Sequence, residues 1–132
     1  MNYKTIDMDS FPRRAHFEYF KGLAYPYVGF TVNVDITEFL AQQKRLGLPF
    51  YFALSYCATR AANSVPEFRR RIRGDGIIEY DWCHGSHTVA LPDETYCYCT
   101  LDCRMPFEEY LPRAAEAWER AKAASSIEDG ED

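Results

Sequence analysis

Two stretches of this sequence alternate between two kinds of side chain, and this pattern constrains the fold more than any other feature. Apolar residues occupy every second position of residues 28–34, and three cysteines share one parity in residues 96–103. A period of two is typical of a strand with one covered face. Residues 27–35 and 96–103 are therefore predicted to be strands of a sheet with helices packed on one face.

Helices and further strands are predicted around these two segments. The spacing of apolar and helix-ending residues predicts helices over residues 11–21, 38–46, 50–63 and 107–124, and strands over residues 3–8, 77–82 and 87–91. In the 50–63 helix, the apolar stripe at helical spacing is Phe50, Leu54, Cys57 and Ala61. The order of these elements predicts an α+β fold, a two-layer sandwich around a mixed sheet.

Composition excludes several classes of function. The net charge of −5 at pH 7 argues against binding to nucleic-acid phosphates. No apolar run approaches the roughly 20 residues of a membrane span, and residues 1–10 lack the layout of a secretion signal. We therefore expect a cytoplasmic protein with no nucleic-acid or membrane partner. The 5 cysteines are odd in number, so we expect reduced thiols rather than a complete disulfide framework.

Few residues are suited to chemistry, and the histidines come first among them. His84 and His87 lie where a loop enters a predicted strand, a position that suits a general base or metal ligands. The sequence shows no carboxylate that would orient either ring. His16 lies on a predicted helix beside Arg13 and is interpreted as a surface or packing residue. The basic run within residues 69–73 is interpreted as a solvated face.

The cysteines and tyrosines of residues 96–103 lie on opposite faces of the predicted strand. The spacing favours buried core cysteines, because the sequence has no Cys-x-x-Cys pair. A small zinc-binding protein stays open as an alternative, and its ligands would be Cys83, His84, His87 and Cys97. On the other face, Tyr96, Tyr98 and Thr100 either wall a pocket for a flat ligand or pack against a helix.

A set of motifs follows one another in a fixed order along the chain. They are Asn2-Tyr3 with Ile6-Asp7, Phe11-x-Arg13-Arg14-x-His16-Phe17-Glu18-Tyr19-Phe20, Val34-Asp35-Ile36-Thr37 and Asp93-Glu94-Thr95-Tyr96. Together they resemble the N-terminal part of the chloramphenicol acetyltransferase family. The resemblance continues through residues 49–68, 76–82 and 107–124, so it covers essentially the whole chain.

The resemblance implies a specific reaction and assembly. The family forms trimers of α+β subunits and transfers acetyl from acetyl-CoA to a hydroxyl of chloramphenicol or a related small-molecule acceptor, without a metal. A histidine base deprotonates that hydroxyl and a serine stabilises the tetrahedral intermediate, in an active site between neighbouring subunits. By position, the resemblance implies that Arg13 is a structural residue. The substrate-binding residues that it implies are Tyr19, Phe20, Thr88, Tyr96 and Tyr98.

One family motif is missing from this sequence. The family's base lies in a C-terminal His-His-x-x-x-Asp-Gly motif that does not occur here. The resemblance therefore implies no catalytic residue in this chain, which we expect to be an N-terminal fragment that is inactive alone and has an incomplete sheet. Residues 1–124 would form the family-like part, and residues 125–132 an acidic tail or interrupted loop. The alternative that stays open is a non-catalytic module of the same fold for aryl-ligand binding or assembly.

Overall fold

The computed structural model describes residues 1–123 of this chain. Its elements are β1 Tyr3–Thr5, α1 Arg14–Lys21, α2 Thr37–Arg45, α3 Phe50–Asn63, a 3₁₀ turn Pro66–Arg69, β2 Arg70–Arg73, β3 Gly76–Tyr80, β4 Gly85–Ala90, β5 Tyr96–Leu101 and α4 Phe107–Ala123. The predicted α+β class is confirmed. None of the helices in the described part has the length and hydropathy of a membrane span. The predicted acidic tail, residues 125–132, lies outside the described residues.

The strands form two antiparallel sheets in the part of the chain that the structure describes, where the sequence predicts one mixed sheet. In the first sheet, β1 and β2 lie on either side of β3. In the second, β4 pairs with β5, so that Val89 lies opposite Cys97 and Thr88 lies opposite Tyr98. Residues 3–8 were expected to form a longer strand, but pairing of β1 with β3 ends at Thr5 and Ile78.

The strand predicted over residues 27–35 is wrong. This segment has no regular secondary structure. Its alternating side chains, Val28, Phe30, Val32 and Val34, are 71–88% exposed. A strand needs a neighbour that satisfies its backbone groups, and no described strand pairs with this segment. The alternation is therefore compatible with a strand that has one covered face, but this segment pairs with no strand among the described residues.

The main core lies between the β4–β5 sheet and helices α3 and α4. On β5, Cys97 and Cys99 are buried, which confirms the interpretation of these residues as core cysteines. Tyr110 of α4 is 1% exposed, and its hydroxyl donates a hydrogen bond of 3.2 Å to the carbonyl oxygen of Phe52 on α3. Burial raises the pKa of Tyr110 far above its ordinary value. These contacts fix one face of the sheet against both helices.

The face that α3 buries differs from the stripe read from the sequence. Phe50 and Leu54 are 40% and 37% exposed, whereas Phe52 and Ala53 are buried. The helix carries apolar residues on nearly its whole circumference, so spacing alone does not select the face that packs. The bounds predicted for this helix, residues 50–63, are confirmed.

The basic run at residues 69–73 is not simply a solvated face. The Arg70 Nε donates a hydrogen bond of 3.0 Å to Glu79, and the Lys4 Nζ lies 3.1 Å from the same carboxylate. The Arg69 guanidinium donates to the carbonyl oxygens of Asn63, Tyr80 and Asp81. The side chain of Glu79 is 6% exposed and needs cationic partners. The run therefore holds the first sheet together on one side.

Candidate functional site

The outer face of the β4–β5 sheet presents side chains of one parity to solvent. We call this set the aryl face, and its members are Ser86, Thr88, Ala90, Tyr96, Tyr98 and Thr100. It exists because the other parity, with Val89 and Cys97, is buried against the helices. The rings of Tyr96 and Tyr98 lie 5.7 Å apart and nearly perpendicular. Thr88 lies opposite Tyr98, so three of the predicted substrate-binding residues lie on one face.

A second aromatic pair lies on α1. The rings of Tyr19 and Phe20 are 5.3 Å apart at an interplanar angle of 87°, and their residues are 67% and 51% exposed. A cavity of about 250 Å³ lies beside this pair, lined by Ala15, His16 and Tyr19. The pair therefore offers exposed ring surface of the kind that binds flat ligands.

Charged side chains connect α1 to the first sheet and the turn before it. The Arg13 Nη2 donates a hydrogen bond of 2.9 Å to Glu67 in the 3₁₀ turn. At the other end of the helix, the Lys21 Nζ lies 3.2 Å from Asp75, between β2 and β3. Arg13 thus makes a contact of the kind expected of a structural arginine. Both contacts anchor α1 at the first sheet, not at the β4–β5 sheet. That Tyr19 and Phe20 share one pocket with the aryl face stays a prediction.

The structure places one carboxylate near His84, but no hydrogen bond joins it to the ring in the described residues. The Nδ1 atom of His84 lies 3.7 Å from the Oδ1 atom of Asp102. Arg104 in turn donates hydrogen bonds of 2.7–3.1 Å to both oxygens of Asp102, which holds the pKa of that carboxyl below its ordinary value. The 3.7 Å separation is longer than a hydrogen bond, and the Nδ1 atom of His84 is buried without a hydrogen-bond partner among the described residues, so Asp102 does not fix the ring.

His87 lies on the inner face of β4 and is poorly placed for proton transfer. Its ring lies 4.9 Å from that of Tyr51, and its Nε2 atom is buried without a hydrogen-bond partner in the described structure. Burial lowers the pKa of His87, so the ring is neutral at pH 7. The half-buried ring packs against Tyr51, and its buried Nε2 atom is poorly placed to exchange a proton with a substrate.

The geometry gives no support to a zinc site. In residues 1–123, no three His, Cys, Asp or Glu side chains come together in a group able to hold a metal ion. The Cys97 Sγ lies 3.0 Å from the carbonyl oxygen of Ala121, whereas the Cys83 Sγ accepts a contact of 3.6 Å from Arg71. Two of the four ligands considered for zinc, Cys97 and Cys83, therefore contact different elements, α4 and β2.

Comparison with known proteins decides the family. The family model described as chloramphenicol acetyltransferase matches residues 1–122 of this chain. The chain belongs to the chloramphenicol acetyltransferase family. The resemblance carried by the motifs of residues 2–20, 34–37 and 93–96 is confirmed.

Two relatives show how much of a chloramphenicol acetyltransferase this chain represents. It is similar to the chloramphenicol acetyltransferase of Klebsiella sp, with 34% identity over 87 residues, which are 66% of this chain and 40% of the relative. It is also similar to chloramphenicol acetyltransferase 2 of Escherichia coli, with 30% identity over 116 residues, 88% of this chain and 52% of the relative. The chain thus spans about half the length of the curated relatives it matches.

A solved structure of a chloramphenicol acetyltransferase shares the fold. The TM-score is 0.71 at 24% identity, over 91% of this chain and 60% of the solved chain. At this identity the likeness concerns the fold alone, and it agrees with the α+β architecture predicted from the order of the elements.

Proposed function

We propose that this chain supplies the acceptor-binding part of an acetyl-CoA-dependent O-acetyltransferase of the chloramphenicol acetyltransferase type, and that it does not transfer acetyl alone. The acceptor is a small molecule with a hydroxyl group, acetyl-CoA is the co-substrate, and no metal takes part. A cytoplasmic homotrimer is the proposed assembly of the complete enzyme.

The observation that carries this proposal is the aryl face. Tyr96, Tyr98 and Thr88 lie together on one face of the β4–β5 sheet. The family resemblance implies that Tyr96 and Thr88 occupy acceptor-pocket positions, and Tyr98 shares their face. Two perpendicular rings beside a hydroxyl suit an aryl alcohol, because the rings bind its flat part and the hydroxyl offers a hydrogen bond. Tyr19 and Phe20 are proposed to complete this pocket.

The missing motif supports inactivity of the chain alone. No His-His-x-x-x-Asp-Gly sequence occurs in the 132 residues. A general base typically contributes about 10²–10⁴-fold to the rate, and an oxyanion donor about 10²–10³-fold. A second copy of the same chain would bring neither group, so self-association of this chain does not restore catalysis.

Binding of chloramphenicol to the aryl face is the direct test of the acceptor role. We expect saturation-transfer NMR to show weak binding, and Tyr96→Ala to weaken it about threefold to tenfold, since one aromatic contact is removed. Tyr3→Ala is the matched control: both tyrosines are 45% exposed, and each ring makes an edge contact with one neighbouring tyrosine. Equal effects of the two substitutions would show that the aryl face does not bind the acceptor.

The second candidate is a non-catalytic aryl-ligand-binding or assembly module. The observation that favours it is the combination of an intact aryl face with the absence of the family's catalytic motif. The two candidates differ when the chain is mixed with the C-terminal portion of a relative that carries His-His-x-x-x-Asp-Gly. Acceptor-dependent thiol release from acetyl-CoA in the mixture supports the enzyme, whereas chloramphenicol binding without release in the mixture supports the module.

A further inference from the structure

A cavity of about 200 Å³ lies where β4 begins. It is lined by the end of α3, the 3₁₀ turn and β2, and its polar lining residues include Asn63, Arg69, Arg71, Cys83 and His84. Cys83 is half-buried and is a free thiol. The cavity therefore combines a nucleophilic atom with two guanidinium groups.

The thiol is held in place through its backbone. The Asn63 Nδ2 donates a hydrogen bond of 2.8 Å to the carbonyl oxygen of Cys83, and the Asn63 Oδ1 accepts one of 2.8 Å from the Cys83 N–H. Asn63 is itself buried at the end of α3. Cys83 thus sits at a fixed point of the fold rather than in a free loop.

Arg71 is fixed beside the sulfur. Its Nη1 atom donates hydrogen bonds of 2.9 Å and 2.7 Å to the carbonyl oxygens of Phe68 and Arg70. Its Nη2 atom then lies 3.6 Å from the Cys83 Sγ. A guanidinium anchored on one side and open on the other attracts an anion to the thiol.

Among the described residues that line the cavity, none is Asp or Glu, whereas two are arginines. The nearby carboxylates of Glu79 and Asp102 form ion pairs elsewhere, Glu79 with Lys4 and Arg70 and Asp102 with Arg104. The cavity offers a cationic environment in a protein whose net charge is −5.

We propose that Cys83 is a covalent modification site that reacts selectively with small anionic electrophiles, namely carboxylates or phosphates that carry an electrophilic carbon. Arg71 draws the anion into the cavity and brings its carbon to the sulfur. With iodoacetate as the probe, the sulfur–carbon bond forms as the carbon–iodine bond breaks. Iodide leaves, and the thiol proton passes to water.

Cys57 provides an internal control on the same chain. It is exposed and lines a cavity of about 210 Å³ whose other lining residues are uncharged, among them Phe39, Tyr56 and Phe107. Alkylation of each thiol by iodoacetate and by neutral iodoacetamide is followed by peptide mass spectrometry. We expect the ratio of the two rate constants, iodoacetate over iodoacetamide, to be about fivefold higher at Cys83 than at Cys57, and to fall with added salt. Equal ratios at the two thiols would overturn the proposal.

Substitutions on β2 separate the role of Arg71 from a general charge effect. Arg71→Gln should lower the ratio at Cys83 to that at Cys57, and Arg71→Lys should retain most of it. Arg73→Gln makes the same charge change on the same strand, but Arg73 lies over the ring of Tyr3, 4.8 Å from its centre, and should leave the ratio unchanged. Protection of the buried Cys97 and Cys99 from both reagents reports that each variant is folded. Equal losses from Arg71→Gln and Arg73→Gln in folded protein would contradict the assignment.

Discussion

Asn63 shows how one buried side chain joins two elements that are distant in the sequence. Its amide donates hydrogen bonds of 2.8 Å to the carbonyl oxygens of Thr59 and Cys83 and accepts one of 2.8 Å from the Cys83 N–H. Asn63→Ala leaves the two buried groups of Cys83 unpaired, so we expect the free energy of unfolding to fall by about 2–3 kcal/mol in urea titrations. Asn33→Ala, at an exposed position, should change it by less than about 0.5 kcal/mol. Similar losses in both variants would refute this role.

Glu79 makes the stability of the fold depend on pH. Hydrogen bonds from Lys4, and then from Arg70, hold the pKa of its carboxyl below the ordinary value. The stabilisation is therefore present above the unfolded-state pKa of about 4.3 and is lost as the pH falls through the folded-state pKa. We expect Glu79→Gln to flatten the fall in unfolding free energy between about pH 5 and pH 3.

The matched control for this pH effect is Glu119→Gln. Glu119 forms an ion pair of 3.2 Å with Lys122, but its side chain is 67% exposed, and such pairs contribute little. Its curve of unfolding free energy against pH should follow that of the unsubstituted chain. A Glu79→Gln curve that does the same would show that the buried carboxylate contributes nothing to acid sensitivity.

At the same scale, the sequence predicts the positions of the tyrosines better than the contacts of the histidines. The parity of residues 96–103 correctly separates the buried cysteines from the tyrosines on the opposite face, of which Tyr96 is exposed and Tyr98 half-buried, because strand geometry alone determines it. The contact of His84 with Asp102 depends on the register of the β4–β5 hairpin. Continuing that register one step beyond the Gly85–Leu101 pair reaches both residues, so the pairing was the signal that motif spacing missed.

At the scale of elements, Gly85 sets the distance between β4 and α3. A Cβ atom added there would lie 2.5 Å from the Thr59 Oγ1. We expect Gly85→Ala to lower the unfolding free energy by about 1–3 kcal/mol, because the Thr59 side chain or one of the two elements must shift. Combining it with Thr59→Ala removes the clash and should make the double variant more stable than the sum of the single effects predicts.

Gly29→Ala is the control for the contact at Gly85. No heavy atom lies within 4 Å of a Cβ added there, so the substitution should be nearly neutral. Strictly additive effects of Gly85→Ala and Thr59→Ala would contradict a direct contact between them.

Local patterns predicted the helices well and one strand poorly. The α3 bounds follow from Pro49 before the helix and Pro66 shortly after it, which are signals in the local sequence. Residues 27–35 carry an equally clear alternation but remain exposed, because a strand also needs a partner that its own sequence does not encode. The buried side of α3 was likewise decided by the neighbouring sheet rather than by spacing.

At the scale of the whole molecule, exposed apolar side chains accompany a chain that spans about half the length of its relatives. Tyr96 on the aryl face is 45% exposed, and residues 28–34 expose an alternating apolar surface. The family members matched here are about twice as long as the aligned part. Contiguous exposed apolar surfaces are typical of regions that bind a partner or a ligand. We therefore propose acceptor binding by this chain and acetyl transfer by the complete enzyme.

Thiol release from acetyl-CoA by the purified 132-residue chain, with and without chloramphenicol, tests this separation most directly. The account predicts that chloramphenicol does not raise the rate above the background of acetyl-CoA hydrolysis, because the family's catalytic motif is absent from the sequence. His84, beside Asp102, is the residue that would act if this is wrong. Acceptor-dependent release that disappears in His84→Ala and persists in His16→Ala would contradict the account and place the active site at His84.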